Sequence, residues 1–459
     1  MKFGIEDIHF EMPSLYLPIE SLADARSIEP AKLKHGLGLE AMAICDIDED
    51  VITMGAKAVI CLIERNDIPL NKIGRLYIGT ESGIDGSKPL ATYIMGLVEK
   101  HFTLKGHTDN MRNCDAVDLT FACIGGVDAM LNSINWLHTE PDQVAIVVAC
   151  DNALYDLDSS GEYTQGAGAA ALLLTANPQL ITINPNIGVA CADEHDFFKP
   201  LHTHTVTSSI ENQLSTEGKT FKEHRETPVF DGYFSNQTYA KRINEAWKHY
   251  NSKLDNDQKL SEFSKYIFHL PYAYHGRRIF ADMYFDDMDK AGELNKFLAD
   301  NDIQKPNATA TKEEKKNYAK ARVKSNVYQN LIKQKIAPSE KLSSQIGNVY
   351  TASIFLALIS TLIHSDAESL TNQDLLFIAY GSGSKSKIFS GTMEKNWEKV
   401  AKKWNYNETL DHRKKITFEE YEAIRKQEID LPICKPKSLR QESTGILDTN
   451  RYAKYYGVE

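Results

Sequence analysis

The chain has 459 residues, enough for one large domain or two to three ordinary ones. Its 42% apolar and 25% charged residues exclude a disordered chain. The net charge of −11 argues against a general nucleic-acid binder, which needs a basic face, but is compatible with an anionic small ligand held by a local group of Lys and Arg. Residues 1–19 carry acidic side chains inside their apolar pattern, unlike a signal peptide. The most apolar run, 350–364, is too short to span a membrane. A soluble, cytoplasmic protein is expected. The seven cysteines are odd in number and scattered, with no CxxC pair and no Cys/His metal spacing. Reduced thiols and no metal site are therefore expected.

In chain order, 50–68 has apolar residues at helical spacing, and IGRLYIGT at 73–80 reads as a buried strand. Residues 89–102 are helical, 115–121 a strand, 125–139 a helix, 143–151 a strand, and 166–177 a small-residue turn running into a strand. This alternation predicts βαβ units and a mainly parallel sheet covered on both faces. Further on, 265–272 is strand-like, 276–288 helical, 348–365 an apolar helix, and 375–384 a strand ending in a Gly/Ser turn. The Lys-rich stretch at about 289–341 reads as a solvated helical excursion. The tail after about 395 is polar and partly helical.

Candidate chemistry gathers at the ends of these strands. DLTFACIGG places Cys123 between a strand and a helix, with Gly125 and Gly126 leaving room for a substrate. A helix N-terminus there would favour the thiolate. Cysteine is also among the most often buried residue types, so a plain core thiol is the alternative. Glu81 follows a buried strand in GTESG, where a partly buried carboxylate could shuttle protons and an exposed one would be a loop residue. His269, in FHLPY, ends an apolar strand, while His195, in DEHDFF, lies in a loop. A nucleophilic cysteine usually works with a histidine. Asn348 follows Gly347 at a helix start, where an N-cap is the ordinary role. The turn YGSGS, 380–384, can present backbone N–H groups to an oxygen.

Taken together, ten ordered stretches spread over most of the chain resemble 3-hydroxy-3-methylglutaryl-CoA synthases. Among them are YIGTESGIDGSKP, DLTFACIGGVDAM, HDFFKP, FHLPYAYHGRR, IGNVYTASIFLALIS and LLFIAYGSGSKSKIFSG. The resemblance implies a thiolase-like five-layered α/β/α/β/α fold of two similar halves, 1–178 and 179–394, with the insertion at about 289–341 and a helical extension at 395–459. It implies condensation of acetyl-CoA with acetoacetyl-CoA, a homodimer, no cofactor, no metal, no nucleic acid and no membrane. By motif, Cys123 matches the acetylated cysteine, Glu81 the general acid/base, and His269 the histidine that orients acetoacetyl-CoA. Asn348, Ser382, Tyr380 and Gly381 match residues around the acyl site, and Asp151 and Asp196 supporting acids. The family often carries a lysine for coenzyme A where Tyr274 stands here, so the basic duty would fall to Arg277, Arg278 or Lys199. The alternatives are a carrier-protein-dependent β-branching synthase and a ketoacyl-synthase-III-like condensing enzyme. A ketoacyl synthase that decarboxylates a malonyl unit has no use for a base at Glu81.

Overall fold

The computed structural model describes residues 1–205, 220–224, 226–445 and 453–458. Nine strands form its main sheet. They are β1 (Phe3–Glu11), β2 (Ile73–Gly79), β3 (Asp115–Leu119), β4 (Val144–Asn152), β5 (Ala167–Ala176), β6 (Ile181–Cys191), β7 (Lys265–Phe268), β8 (Asp374–Gly381) and β9 (Lys385–Met393). Their order is β7-β8-β9-β6-β1-β5-β4-β2-β3. The first half of the chain supplies the last five positions and the second half the first four. β2 runs parallel to β4, then β5 and β1 follow antiparallel. β7 runs parallel to β8, then β9 and β6 follow antiparallel. The two halves thus repeat one pattern and join where Gly4 and Ile5 of β1 meet Thr182 and Ile181 of β6.

The sheet is mixed, which corrects the mainly parallel sheet expected from the alternation of elements. Only β2 with β3, β2 with β4, and β7 with β8 are parallel. β8 returns into β9 through three residues, too few for a crossover helix, so the pair must be antiparallel. Strands buried on both faces read as continuous apolar runs in either direction, so composition does not reveal their sense.

Side-chain alternation divides the core. Ala145, Val147 and Ala149 of β4 face one cluster, and Ile146, Val148 and Cys150 face another. The helices α1 (Val51–Asn66) and α2 (Leu90–Leu104) pack over the second face. α1 starts where the sequence allows it, with the Asp50 side chain accepting from the backbone of Ile52 and Thr53. On the first face lies α3 (Gly125–Leu137), with Gly126 set against Phe355 of a helix from the other half. In the second half come α4 (Gly232–Asn251) and α5 (His275–Lys290). They are followed by α6 (Leu294–Asp300), α7 (Lys312–Lys324), α8 (Asn326–Lys335), α9 (Ala337–Ile346) and α10 (Ser353–Ile363). Phe355 belongs to α10. This is the thiolase-like layered class. The polar excursion is helical, and α7 buries none of its residues. All seven cysteines are free. Among the described residues, no helix is long and apolar enough to cross a membrane.

The C-terminal region braces the loop between β4 and β5. Tyr421 donates to Glu162 at 3.0 Å, and Arg425 donates to the Tyr155 carbonyl at 2.8 Å.

A tight constraint next to the site lies where β2 ends. A Cβ on Gly79 would sit 2.2 Å from the backbone nitrogen of Gly126, so strand and helix start approach to a distance no side chain permits. Backbone cannot swing aside as a side chain can. Gly79→Ala is therefore expected to cost at least the ~1–3 kcal/mol of an overpacked core, read as a lowered urea midpoint.

Candidate active site

β2 and β3 are parallel neighbours, with Gly79 in register with Leu119, so the segments after them leave the sheet at the same edge. Glu81 lies two residues past the first and Cys123 four past the second. Between β3 and α3 the chain passes Ala122, whose φ of 41° is left-handed, a conformation that costs a non-glycine residue about 1–2 kcal/mol. That kink points the next side chain back across the edge. Cys123 is 7% exposed, and its thiol donates to Glu81 Oε1 at 2.9 Å.

Burial decides the protonation of this pair. It pushes the Glu81 carboxyl up to about 7, with Asp151 adding to the rise, while Lys199 and the Cys123 hydrogen bond oppose it. Burial also pushes the Cys123 thiol well above its ordinary range, with the Glu81 charge adding to it. The expectation of a thiolate favoured by the helix N-terminus is thus corrected. Desolvation and a neighbouring carboxylate outweigh the dipole, and the sulfur holds its proton toward Glu81.

Behind the pair lies Asp151, the penultimate residue of β4. Oδ1 accepts from the Glu81 N–H at 2.7 Å, from Ser82 Oγ at 2.9 Å and from Thr80 Oγ1 at 3.1 Å. Oδ2 accepts from Thr351 N at 3.0 Å and from Thr351 Oγ1 at 2.5 Å. Thr351 precedes α10, so one carboxylate ties the Glu81 loop to the second half. Asp151 has no exposed surface and does not line the cavity, so it holds the site in place without facing substrate.

The second half contributes the opposite wall. A cavity of about 330 Å³ is lined by Cys123, His269, Asn348, Tyr380 and Ser382, among others. His269 follows β7, its N–H bonded to the Ile378 carbonyl of β8. Burial pushes its imidazole down to about 3, so the ring is neutral, and Nδ1 has no partner. Asn348 Oδ1 accepts from Tyr350 N at 2.9 Å, capping the turn into α10, and Nδ2 points to the Tyr155 hydroxyl at 3.5 Å. The cap and the cavity contact are made by one side chain. Tyr155, Phe197, Phe230 and Tyr350 pack around Cys123 as an aromatic wall.

Several candidates stand elsewhere than their resemblance suggested. Asp196 is fully buried outside the cavity, accepting from Tyr380 Oη at 2.5 Å and Gly383 N at 2.8 Å, which fixes the Tyr380 ring and the turn. Gly381 is also off the cavity. A Cβ there would lie 2.7 Å from the Phe121 carbonyl, so the glycine lets the 380s turn press on the Cys123 loop. Of the three basic candidates for coenzyme A, Arg278 alone lines the cavity, at its exposed rim. Arg277 is paired with Glu340 and stacked 3.8 Å over Tyr274. Lys199 lies inside, 3.4 Å from the Glu81 carbonyl and 4.8 Å over the Tyr350 ring, as an electrostatic neighbour of the acid. His195 is exposed and packs edge-on to Phe198. The aromatic wall was missed because Tyr and Phe in loops carry no periodic signal. His275 stands inside FHLPYAYHGRR with no pattern to single it out. Among the described residues, His9, Glu11 and Cys61 are close enough to share an ion, but Lys57 already pairs with Glu11 at 2.5 Å and none of the three lines the cavity.

A thiol hydrogen-bonded to an acid, at the strand ends of a two-half layered sheet, defines an acyltransferase of the thiolase-like condensing class. The comparisons with known proteins narrow the class. Residues 1–179 match the model described as hydroxymethylglutaryl-coenzyme A synthase N terminal, and 222–452 match its C-terminal counterpart. The chain therefore belongs to the hydroxymethylglutaryl-CoA synthase family. It is 30% identical to the hydroxymethylglutaryl-CoA synthase of Schizosaccharomyces pombe, over 91% of this chain and 88% of that one. It is 28% identical to that of Haloferax volcanii, over 92% and 89%. A solved structure of MvaS in complex with 3-hydroxy-3-methylglutaryl coenzyme A superposes with a TM-score of 0.80 at 29% identity, covering 100% of this chain and 99% of that one.

The raised Glu81 sets a pH dependence of stability. The folded state holds this proton up to about 7, while the unfolded carboxyl releases it near 4.5, so stability falls as pH rises between those values. In Glu81→Gln that part of the decline is expected to vanish, seen as a flatter plot of Tm against pH over the same window.

Proposed function

We propose that the protein condenses acetyl-CoA with acetoacetyl-CoA and water to give 3-hydroxy-3-methylglutaryl-CoA and free CoA, through an acetyl-Cys123 thioester. The observation that carries this reading is the Cys123–Glu81 hydrogen bond of 2.9 Å. A hydrolase acting through a cysteine has no need of a carboxylate that can reach the acyl methyl. A condensing enzyme has.

The thiol proton passes to Glu81 and the sulfur attacks the acetyl carbonyl, releasing CoA, which takes a proton as it leaves. Glu81, again a carboxylate, removes a methyl proton from the acetyl thioester. A pKa near 7 suits a group that must both take and return a proton at neutral pH. The resulting enolate carbon attacks the ketone carbon of acetoacetyl-CoA, and the new alkoxide recovers the proton from Glu81. Neutral His269 donates to the second substrate's oxygen as charge grows on it. Ser382, which lines the cavity from the 380s turn, adds a hydroxyl donor for the same oxyanions. Water then cleaves the Cys123 thioester, leaving a free carboxylate and restoring the thiol. Release of CoA from the acetyl donor before the second substrate reacts makes the kinetics ping-pong. The product feeds the mevalonate route to isoprenoids. The reading includes a cytoplasmic homodimer that uses no cofactor. The curated relatives at 28–30% identity are named for a CoA thioester, which supports this reading.

Cys123→Ala is expected to take up no label from acetyl-CoA, while Glu81→Gln, which loses the base for both proton transfers, is expected to acetylate slowly and to condense about 10²–10⁴-fold more slowly, the usual size of a general acid/base contribution. Unslowed condensation by Glu81→Gln would overturn its role as the acid/base. Loss of acetoacetyl-CoA enolate absorbance on adding acetyl-CoA reads the whole reaction. Turnover with acetyl carrier protein and none with acetyl-CoA would transfer the enzyme to β-branching chemistry.

A further inference from the structure

The cavity holds a second imidazole that the chemistry above does not use. His275 is the first residue of α5, is 2% exposed and lines the cavity. Neither Nδ1 nor Nε2 has a hydrogen-bond partner. Each unpaired buried polar atom costs about 1–3 kcal/mol. Both belong to a residue that lines the cavity, so a ligand that reaches the ring would satisfy a group the protein leaves unpaired.

Its neighbours show which part of a ligand it meets. On one side its ring stands edge-on to Tyr272, with centroids 4.8 Å apart, and Tyr272 borders exposed Arg278 at the rim. On the other side it packs 4.9 Å from Tyr239, which is buried and stacked 4.1 Å from Tyr380. Cys123, Asn348 and Tyr350 are buried at the floor. A chain entering at the rim and ending at the Cys123 sulfur passes His275 on the way. The acyl group reacts beyond it, so His275 meets the arm that carries the acyl group.

The ring's charge selects the chemistry. Burial pushes its pKa down to about 3, helped by His269 and Arg278, so the ring is neutral and offers one N–H donor and one lone-pair acceptor. A carboxylate or phosphate would use only the donor and turn its charge on the acceptor. A neutral amide can meet either nitrogen, its C=O accepting from the N–H or its N–H donating to the lone pair.

We propose that His275 binds a secondary amide of the pantetheine arm that carries the acyl thioester, and so helps set affinity for the arm. This rests on the thioester-condensing reading above. Coenzyme A and a carrier protein present the same arm.

The test compares acetoacetyl-N-acetylcysteamine, which has an amide next to the thioester, with acetoacetyl S-ethyl thioester, which has none. The kcat/KM preference for the amide-bearing thioester is expected to fall about ten-fold in His275→Leu, through KM, and to recover in His275→Gln, which keeps one N–H and one C=O. Binding of desulfo-CoA by calorimetry supplies a readout independent of turnover, and its Kd should rise about ten-fold in His275→Leu. An unchanged preference with an unchanged Kd overturns the proposal, as does an equal loss on both thioesters. Wild-type protein that binds desulfo-CoA but condenses nothing refutes the reaction, while the Kd of the variant still decides His275. Repeating the binding with holo carrier protein identifies which source of the arm the wild type prefers.

Discussion

Everything at this site hangs on the carboxylate of Asp151. It has no exposed surface, and it accepts from Thr80, the Glu81 backbone, Ser82 and both donors of Thr351. A buried charge is tolerated only where donors surround it, and these donors come from both halves of the chain. The geometry of the Cys123–Glu81 pair in the first half is thereby referred to the start of α10 in the second. Gly79 and Gly381 complete the clamp by letting bare backbone press against the loop that carries Cys123.

The second theme is desolvation. Acid, thiol and both imidazoles are each driven toward the uncharged form by burial. Lys199, on the face of Tyr350, is the cation that opposes this for both Glu81 and Cys123. A neutral, aromatic-walled chamber with one movable proton suits enolate chemistry, because charge that appears during the reaction meets fixed dipoles and little water. The C-terminal region contributes at a distance by clamping the loop that carries Tyr155.

Much of the site was legible in the chain. Cys123 and Glu81 both follow strands, and the neighbouring glycines and serines mark turns where side chains can meet ligand. His269 and Asn348 stood out only within their motifs, since a histidine after a strand and an asparagine before a helix have ordinary structural duties. Asn348 performs its ordinary duty and faces the cavity as well. Asp151 and Asp196, expected as supporting acids, lie off the cavity and bond backbone, Ser/Thr hydroxyls and Tyr380. A sequence does not say which way a strand-end carboxylate turns. Tyr155, Phe230, Tyr350 and His275 carried no signal, because loop aromatics and a histidine at a helix start acquire meaning only from what folds against them.

Local chemistry, then, was determined by the sequence: which segments are strands and helices, which turns carry a thiol, an acid and an imidazole, and that the ordered motifs belong to one family. These depend on spacing and on residue type, which are properties of the chain. Tertiary structure alone decided that the sheet is mixed, that the sulfur keeps its proton, that Lys199 serves the acid at the floor while Arg278 stands at the rim, and that His275 lies along the entry path. Those outcomes depend on burial and on distances between residues remote in sequence, such as Asp151 and Thr351, 200 positions apart. Such distances exist only once the two halves have closed on each other.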